Sequence, residues 1–220
     1  PINRDFFEAA FAKAKAKRSA YYASEETDAF RVVNGEGDHL GGLTIDLYRE
    51  YAVFSWYNET LYQKKSVLIQ AFQQVFPEVK GAYEKIRFDS ELPESAAIYG
   101  EAAPEPLIIK ENGVQYATYL NEGLMTGIFL DQKEVRGQLV EGLAAGMSVL
   151  NMFSYTGAFS IAAAMGGAAK TTSVDLAKRS LEKTREQFTI NGVDPEKQNI
   201  HVMDVFGYFK YAKKEELTFD

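Results

Sequence analysis

The chain contains no cysteine and only two histidines, His39 and His201, which lie far apart in its 220 residues. Disulfide bonds and thiolate metal sites are therefore excluded. Because transition-metal sites draw mainly on Cys and His ligands, we expect no metal site of another kind. The absence of cysteine also fits a reducing compartment, and we expect a cytoplasmic protein.

Long apolar runs are absent as well. No stretch approaches the ~20 residues that a helix needs to cross a bilayer, and no signal peptide opens the chain. We therefore expect no membrane partner. Hydrophobic residues still make up 46% of the sequence, which is enough to form a hydrophobic core. The length fits one large domain or two small ones.

An excess of positive charge is absent, since 31 acidic residues outnumber 24 basic ones and the net charge is −7. Local charge matters more than the sum, and one basic cluster stands late in the predicted N-terminal helix. The simpler interpretation of this cluster is a solvated helix face. The functional interpretation is a ridge that contacts RNA phosphates. The residues of this predicted RNA-binding cluster are Lys13, Lys15, Lys17 and Arg18.

Residues 1–103 are typical of an α+β domain, with apolar segments of helical and of strand period. A capping box of Thr60 and Gln63 indicates where the second helix begins. Three of the six prolines fall between Glu91 and Pro106, which indicates a domain junction. The predicted elements before the junction are helices Asp5–Ser19 and Thr60–Phe76, and strands Phe30–Asn34, Leu43–Leu47, Tyr51–Trp56 and Gly81–Arg87.

Residues 104–220 form the second predicted domain. It opens with strands Leu107–Lys110 and Val114–Leu120, because the Asn112-Gly113 dipeptide between them is a strong hairpin signal. A helix is predicted next, capped by Asp131 with Glu134 and ended by Gly146. Its apolar face is formed by Val135, Leu139 and Leu143.

A repeating β-α pattern follows from Met147 onward. Apolar strands are expected at Met147–Phe153, Lys170–Val174 and Asn199–Met203, with a small-residue helix at Ala158–Met165. Strands separated by helices form a parallel sheet, whose carboxyl edge binds nucleotide-like ligands. Residues 217–220 are predicted to start a fourth strand. Because a core strand needs neighbours on both faces, we expect the chain to be a piece of a longer protein.

The predicted carboxyl edge carries the groups that an adenosine ligand needs. Only Gly157 occupies the turn after the first strand, whereas a dinucleotide fingerprint requires three glycines. Asp175 ends the second strand and can accept the ribose hydroxyls. Asp204 ends the third and can accept from an exocyclic amine such as that of adenine. The alternative is that both acids cap the helices they precede.

Two apolar residues, Leu176 and Val205, directly follow these acids and could enclose a flat base. A carboxylate site at the turn, a ribose site and an adenine site on three successive strands together match S-adenosylmethionine. The order of the three features favours this ligand over helix capping.

Several segments resemble the bacterial large-subunit rRNA (cytosine-C5) methyltransferases that carry an N-terminal PUA domain. The resemblance covers nearly the whole chain, and the Phe-Leu-Asp-Gln and Phe-Ser-Tyr-Thr-Gly motifs make it fairly specific. The segments that carry it are Gly35–Asp46, Thr126–Arg136, Leu150–Ser160 and Ser173–Leu176.

The resemblance implies a central α+β domain followed by the first half of a class I, Rossmann-like methyltransferase domain. It implies S-adenosylmethionine as the cofactor, with Gln132 and Arg136 flanking its methionine end; a surface position on the helix is the alternative for Arg136. Large-subunit rRNA is the implied partner, and a homodimer is left open. The remaining implied cofactor contacts are Asn151, Phe153, Tyr155, Thr156, Gly157, Asp175, Leu176, Asp204 and Val205.

The sequence departs from the family at both ends. The PUA domain, the Asp-Pro-Pro-type segment and the catalytic cysteine region are absent, and Gly41-Gly42 replaces the usual Pro-Gly. Methylation of cytosine C5 needs a nucleophile at C6, normally a thiolate. No catalytic residue is therefore assigned in this chain, which we expect to be an inactive, cofactor-binding fragment.

Two functions other than rRNA methylation are alternatives for this sequence. An NAD-binding oxidoreductase domain is disfavoured by the single glycine in the turn. A non-catalytic RNA-binding or assembly module is disfavoured by the acidic net charge.

Overall fold

A computed structural model describes residues 2–220, which form two compact units. The first unit contains the residues up to Ile109 together with Thr118–Thr126, and the second contains Lys110–Ala117 and Gly127–Asp220. These units are defined by internal contacts. The predicted domains, 1–103 and 104–220, remain a prediction.

Helices and strands alternate from residue 133 onward, whereas strands follow one another in groups before it. The α-helices are α1 (Arg4–Lys17), α2 (Ser19–Tyr22), α3 (Glu59–Tyr62), α4 (Lys65–Val75), α5 (Lys133–Val140), α6 (Ala158–Met165), α7 (Arg179–Ile190) and α8 (Val205–Lys214). The strands are β1 (Ala29–Asn34), β2 (Leu43–Tyr48), β3 (Tyr51–Trp56), β4 (Gly81–Ile86), β5 (Ser95–Gly100), β6 (Leu107–Glu111), β7 (Val114–Thr118), β8 (Ser148–Met152), β9 (Lys170–Asp175) and β10 (Asn199–Val202).

The first unit is built on a mixed sheet of order β1-β2-β3-β4-β5. Strands β3 and β4 are parallel, in a register that pairs Tyr51 with Gly81, and the other neighbours are antiparallel. Helices α1 and α4 supply an aromatic core of edge-on and stacked rings. Its central residues are Phe11, Phe72 and Phe76.

Strand β5 was not predicted, because its segment lies among the prolines that indicated a domain junction. Its residues are half-buried or exposed, and they form the edge of the sheet beside β4. Ile98 and Tyr99 pack against the core only in part, and the short strand carries no strong apolar alternation, so the sequence did not indicate its pairing.

The predicted single helix Thr60–Phe76 is two helices, α3 and α4. Asn58 caps α3 by accepting from the Leu61 N–H at 2.8 Å, so the predicted capping box of Thr60 and Gln63 is wrong. Asn and Asp are among the best N-cap residues, and Asn58 lies one turn before the apolar run that suggested the helix.

In the second unit, β8, β9 and β10 form a parallel sheet, as predicted. The order of its strands is β10-β9-β8. The bounds of α6 are those predicted, and the three strands agree to within two residues. Residues 217–220 have no assigned strand. The Asp220 N–H nevertheless donates to the Ser148 carbonyl at 3.0 Å, on the free edge of β8.

The predicted hairpin is confirmed in β6 and β7. Asn112 and Gly113 have φ angles of 51° and 78°, which are the paired positive values of a type I′ turn. Most of this hairpin, Lys110–Ala117, belongs to the second unit, whereas the residues directly before and after it belong to the first.

The prediction for α5 was wrong in its ends and in its face. Gln132 stands at the N-cap without a side-chain bond, so Asp131 does not cap the helix. The helix ends at Val140, well before Gly146. Val135 and Leu143 are exposed, because the buried side of α5 carries charged residues instead of apolar ones.

No helix within residues 2–220 is long and apolar enough to cross a membrane. In the same residues, no group of three or more His, Asp or Glu side chains is arranged to hold a metal ion.

Candidate functional site

The turn between β8 and α6 has an unusual backbone. Phe153 and Tyr155 have φ angles of 56° and 51°, in the left-handed region that non-glycine residues rarely adopt. Such residues persist where surrounding bonds hold them, and they cluster at functional sites. Here the Ser154 N–H donates to the Val174 carbonyl at 3.0 Å, and the Gly157 N–H donates to the Ser154 carbonyl at 2.7 Å.

Asp175, at the end of β9, holds the same turn. One carboxylate oxygen accepts from the Tyr155 N–H at 2.8 Å, and the other accepts from the Ala177 N–H at 2.9 Å. Helix α7 begins only at Arg179 and its N-cap is Lys178, so Asp175 is not its N-cap. A carboxylate offers about four acceptor sites, and two therefore remain for a ligand.

Gly157 is required at its position for two reasons. Its φ angle is 77°, and a Cβ atom built there would lie 2.6 Å from Cγ2 of Thr184 on α7. The close approach brings α7 against the start of α6. A larger residue at this position would force Thr184 or the backbone of the turn to move.

A cavity of about 510 Å³ opens beside β8 and this turn. Six of the predicted cofactor residues line it, together with apolar residues of the same unit. The predicted residues are Gln132, Arg136, Asn151, Phe153, Tyr155 and Thr156. This volume is in the range of small-molecule sites, and its lining combines apolar surface with a few polar groups.

Arg136 lies on the wall of this cavity and is only 1% exposed. Its Nε and Nη2 donate to the two Glu111 carboxylate oxygens at 2.7 and 2.9 Å, and Nη2 also donates to the Phe129 carbonyl at 2.7 Å. The guanidinium stands 5.4 Å from the centre of the Phe159 ring. The alternative of a surface position for Arg136 is therefore wrong.

Five predicted cofactor residues do not line the cavity: Gly157, Asp175, Leu176, Asp204 and Val205. Asp175 is joined to it through the turn, whereas Asp204 caps α8 by accepting from the Gly207 N–H at 3.0 Å. Leu176 is 70% exposed, and Val205 is 6% exposed in a core cluster with Val174 and Tyr208. Capping by Asp204, which the sequence left open, is thus observed, and one of its oxygens remains available.

The predicted RNA-binding cluster lies in the first unit. Lys15 pairs with Glu78 at 2.7 Å, while Lys17 and Arg18 pair with Asp38 at 2.9 and 2.7 Å. Lys13 is exposed. Contact with RNA therefore stays a prediction, and three of its four cations have carboxylate partners.

Sequence reasoning missed the residues that complete the cavity. Phe129, Leu139 and Phe159 line it, and Glu111 fixes Arg136 from outside the lining. The Asn112-Gly113 dipeptide next to Glu111 predicts a hairpin and does not indicate a role for Glu111. The strand period of two places Glu111 on the same face as Leu107 and Ile109, and this placement of a charge on an apolar face is the signal that could have indicated it.

The parallel β-α-β arrangement and the cavity beside its first strand define the class of Rossmann-like, nucleotide-binding α/β proteins. Residues 73–217 match the model of the S-adenosylmethionine-dependent methyltransferase family. The chain therefore belongs to that family, as the sequence predicted.

Similar proteins agree with this assignment. A Bacillus subtilis protein provisionally named as a ribosomal RNA large subunit methyltransferase is 50% identical over the whole chain, which covers 56% of that protein. Ribosomal RNA large subunit methyltransferase I of Shewanella amazonensis is 35% identical, with the same two shares. The crystal structure of SMU.776, provisionally described as a methyltransferase and complexed with SAH, superposes with a TM-score of 0.96 at 51% identity, covering 100% of this chain and 57% of that one. The chain thus spans about half the length of the relatives it matches.

Proposed function

We propose that the chain is the cofactor-binding part of a large-subunit rRNA methyltransferase that uses S-adenosylmethionine. The observation that carries the proposal is the convergence of six predicted cofactor residues on one cavity beside the turn after β8. The family match and the SAH bound to SMU.776 support the same cofactor.

Within this proposal each part of the cofactor has its own residues. The methionine end binds to the turn of Phe153–Gly157 and to the sides of Gln132 and Arg136 that face the cavity. Asn151 belongs to the same part of the site. Asp175 accepts from the ribose hydroxyls through its remaining lone pairs. The unused oxygen of Asp204 accepts from adenine, between Leu176 and Val205. Because Val205 is buried, its contribution is a wall rather than a movable side chain.

The proposed substrate is large-subunit rRNA, since the relatives from Bacillus subtilis and Shewanella amazonensis carry that name. We further propose cytosine C5 as the methylated atom and a PUA domain in the complete protein. These rest on the sequence resemblance alone. The cluster of Lys13, Lys15, Lys17 and Arg18 is proposed to contact RNA.

Methylation at C5 needs a thiolate that adds to C6, and these 220 residues contain no cysteine. The thiolate must then come from outside them. We therefore expect no transfer of a labelled methyl group to rRNA by this chain alone. Transfer at saturating cofactor would mean a reaction without such a nucleophile, such as N- or O-methylation.

The cofactor proposal is tested by calorimetry of the 220-residue chain with S-adenosylhomocysteine and, separately, with NAD. We expect binding of the first and none of the second. The comparison with NAD addresses the oxidoreductase alternative, which the family match already disfavours. Binding of NAD without binding of S-adenosylhomocysteine would overturn the proposal.

Asp204 provides a second test with an internal comparison. Asp204→Asn keeps one oxygen that can accept from adenine, whereas Asp204→Ala keeps none. We expect a smaller loss of S-adenosylhomocysteine affinity for Asp204→Asn. Equal losses would mean that Asp204 acts through its charge or through the cap of α8.

A further inference from the structure

The hairpin of β6 and β7 places a carboxylate against the cavity wall. Glu111, the last residue of β6, is fully buried and grips Arg136 through two parallel N–H···O bonds of 2.7 and 2.9 Å. Such bidentate pairs fix the plane of the guanidinium as well as its distance. The pair therefore determines which edge of the guanidinium can face the cavity.

Arg136 is held on its other sides too. Nη2 donates to the Phe129 carbonyl, and the guanidinium faces the Phe159 ring. Within residues 2–220, Nη1 has no hydrogen-bond partner, although Arg136 lines the cavity. Nη1 is thus the part of this buried cation that is left for a ligand acceptor.

The hairpin itself is fixed from two directions. At its turn, Asn112 donates to the Lys133 carbonyl at 2.9 Å, at the first residue of α5. Along β7, the Gln187 side chain bonds both the N–H and the carbonyl of Ala117, and Asn191 bonds both groups of Gln115. The side-chain amides of Gln187 on α7 and of Asn191, just after its end, bond the backbone groups of β7 as a neighbouring strand would.

This arrangement gives Glu111 a rigid base. A carboxylate on a mobile loop would move together with Arg136. The Glu111 carboxylate is on a hairpin that is bonded to α5 and α7, and it therefore fixes the position of Arg136. The same helix α7 contacts Gly157 through Thr184. The turn and Arg136 are therefore positioned by a common scaffold.

We propose that Glu111 is a positioning residue, which orients Arg136 so that Nη1 binds the carboxylate at the amino-acid end of the cofactor. The inference rests on the proposed function for the identity of that cofactor. Glu111 touches no ligand itself, because it lies outside the cavity lining.

Loss of the Glu111 charge and loss of its hydrogen bonds to Arg136 should change the affinity for a ligand carboxylate in opposite directions. Neutralising Glu111 leaves the positive charge of Arg136 uncompensated, which would strengthen its attraction to a ligand carboxylate. It also removes one of the two acceptors, since the amide of Glu111→Gln directs N–H groups at the guanidinium. If orientation dominates, affinity falls; if charge dominates, affinity rises.

The test compares two ligands that differ only in the amino-acid end. S-adenosylhomocysteine carries the carboxylate, whereas 5′-methylthioadenosine keeps adenine, ribose and sulfur without it. For Glu111→Gln we expect about a tenfold or larger loss of affinity for the first ligand, the range for a hydrogen bond to a charged group. Affinity for the second should change less than twofold. Glu141→Gln, an exposed carboxylate just after α5, is the matched control.

A double-mutant cycle shows whether Glu111 acts through Arg136. Once Arg136→Met is present, adding Glu111→Gln should cause no further loss of S-adenosylhomocysteine affinity. If Glu111→Gln fails to fold, as judged by circular dichroism, Glu111→Asp decides instead. It keeps the charge on a shorter side chain, and it should lower affinity for the carboxylate ligand alone.

Equal losses for both ligands, a gain in S-adenosylhomocysteine affinity, or a full effect of Glu111→Gln beside Arg136→Met would each overturn the inference. These outcomes leave the proposed function standing, because the wild-type chain still binds the cofactor product. A wild-type chain that binds neither ligand would overturn the proposed function and the inference together.

Discussion

Asp175 and Tyr155 join two strands of the parallel sheet at the site. The Asp175 carboxylate, at the end of β9, accepts from the Tyr155 N–H at 2.8 Å in the turn that follows β8. Tyr155 holds a positive φ of 51° in this turn. The acid that the sequence assigned to a ribose therefore also maintains the backbone on which the rest of the site depends.

Asp175→Ala should weaken S-adenosylhomocysteine binding by roughly 1.5–3 kcal/mol, the range for a hydrogen bond to a charged group. The loss combines the missing ribose contact with a looser turn. Calorimetry on the purified variant measures it, and circular dichroism verifies the fold. Unchanged affinity in a folded variant would remove Asp175 from the site.

Gly157→Ala should destabilise the second unit more than Gly192→Ala does. Both glycines have positive φ, 77° and 71°, but a Cβ at Gly192 meets nothing within 4 Å. Gly192→Ala therefore reports the backbone cost alone, about 1–2 kcal/mol. The excess for Gly157→Ala comes from its approach to Thr184.

Removing the Cγ2 atom of that neighbour tests this explanation. Gly157→Ala combined with Thr184→Ser should recover part of the excess, as measured by urea unfolding. If the two glycine variants are equally stable, the close approach does not matter. If the serine brings no recovery, the contact with Cγ2 is not its cause.

Lys85 should make the stability of the first unit depend on alkaline pH. Burial, with a smaller contribution from the charge of Arg87, lowers the pKa of Lys85 from its usual 10.5 to about 8. Between these two values the unfolded chain binds more protons than the folded one, so stability rises with pH. Below about pH 8 both states are protonated and this contribution is constant.

The rise is measured as the difference between wild type and Lys85→Met in urea unfolding from pH 7 to 11. On the order of 2–3 kcal/mol is expected from the size of the pKa change. Lys64→Met, at an exposed lysine, is the control and should leave the rise intact. The same pH profile in Lys85→Met would assign it to another group.

The proposed RNA contacts should differ within the basic cluster. Lys13 is exposed, whereas Lys17 is paired with Asp38. If the cluster binds phosphates, Lys13→Gln should reduce the salt slope of RNA affinity by about 0.7–0.9, and Lys17→Gln by less. Binding titrations between low and moderate salt measure both slopes. Unchanged slopes in both variants would mean that the cluster is a solvated helix face that does not contact RNA.

Local patterns were enough to predict much of the second unit. The Asn112-Gly113 turn and the bounds of α6 follow from interactions between residues close in sequence, such as turn geometry and small-residue periodicity. Three apolar strands ending in a turn or an acid also indicated a parallel sheet. The order of Gly157, Asp175 and Asp204 along that edge then indicated the ligand class.

Local patterns failed where a distant partner determines the outcome. Strand β5 exists because β4 supplies its hydrogen bonds, and its own residues carry little strand signal. The prediction for the face of α5 was wrong because its buried residues are Lys133 and Arg136 rather than apolar ones. A helical pattern counts apolar residues, and it cannot show that a charge is buried when the compensating charge is elsewhere in the chain.

The residues at the sheet edge and the family of the chain can be inferred from the amino-acid sequence. The contacts that hold these residues in place are seen only in the folded chain: Glu111 with Arg136, Asp175 with the Tyr155 N–H, and Gln187 with the backbone of β7. Each of these bonds joins residues 20 or more positions apart. Because a hydrogen bond stabilises a buried charge or amide only when the partner lies within about 3 Å, such pairings become visible only once the chain has folded.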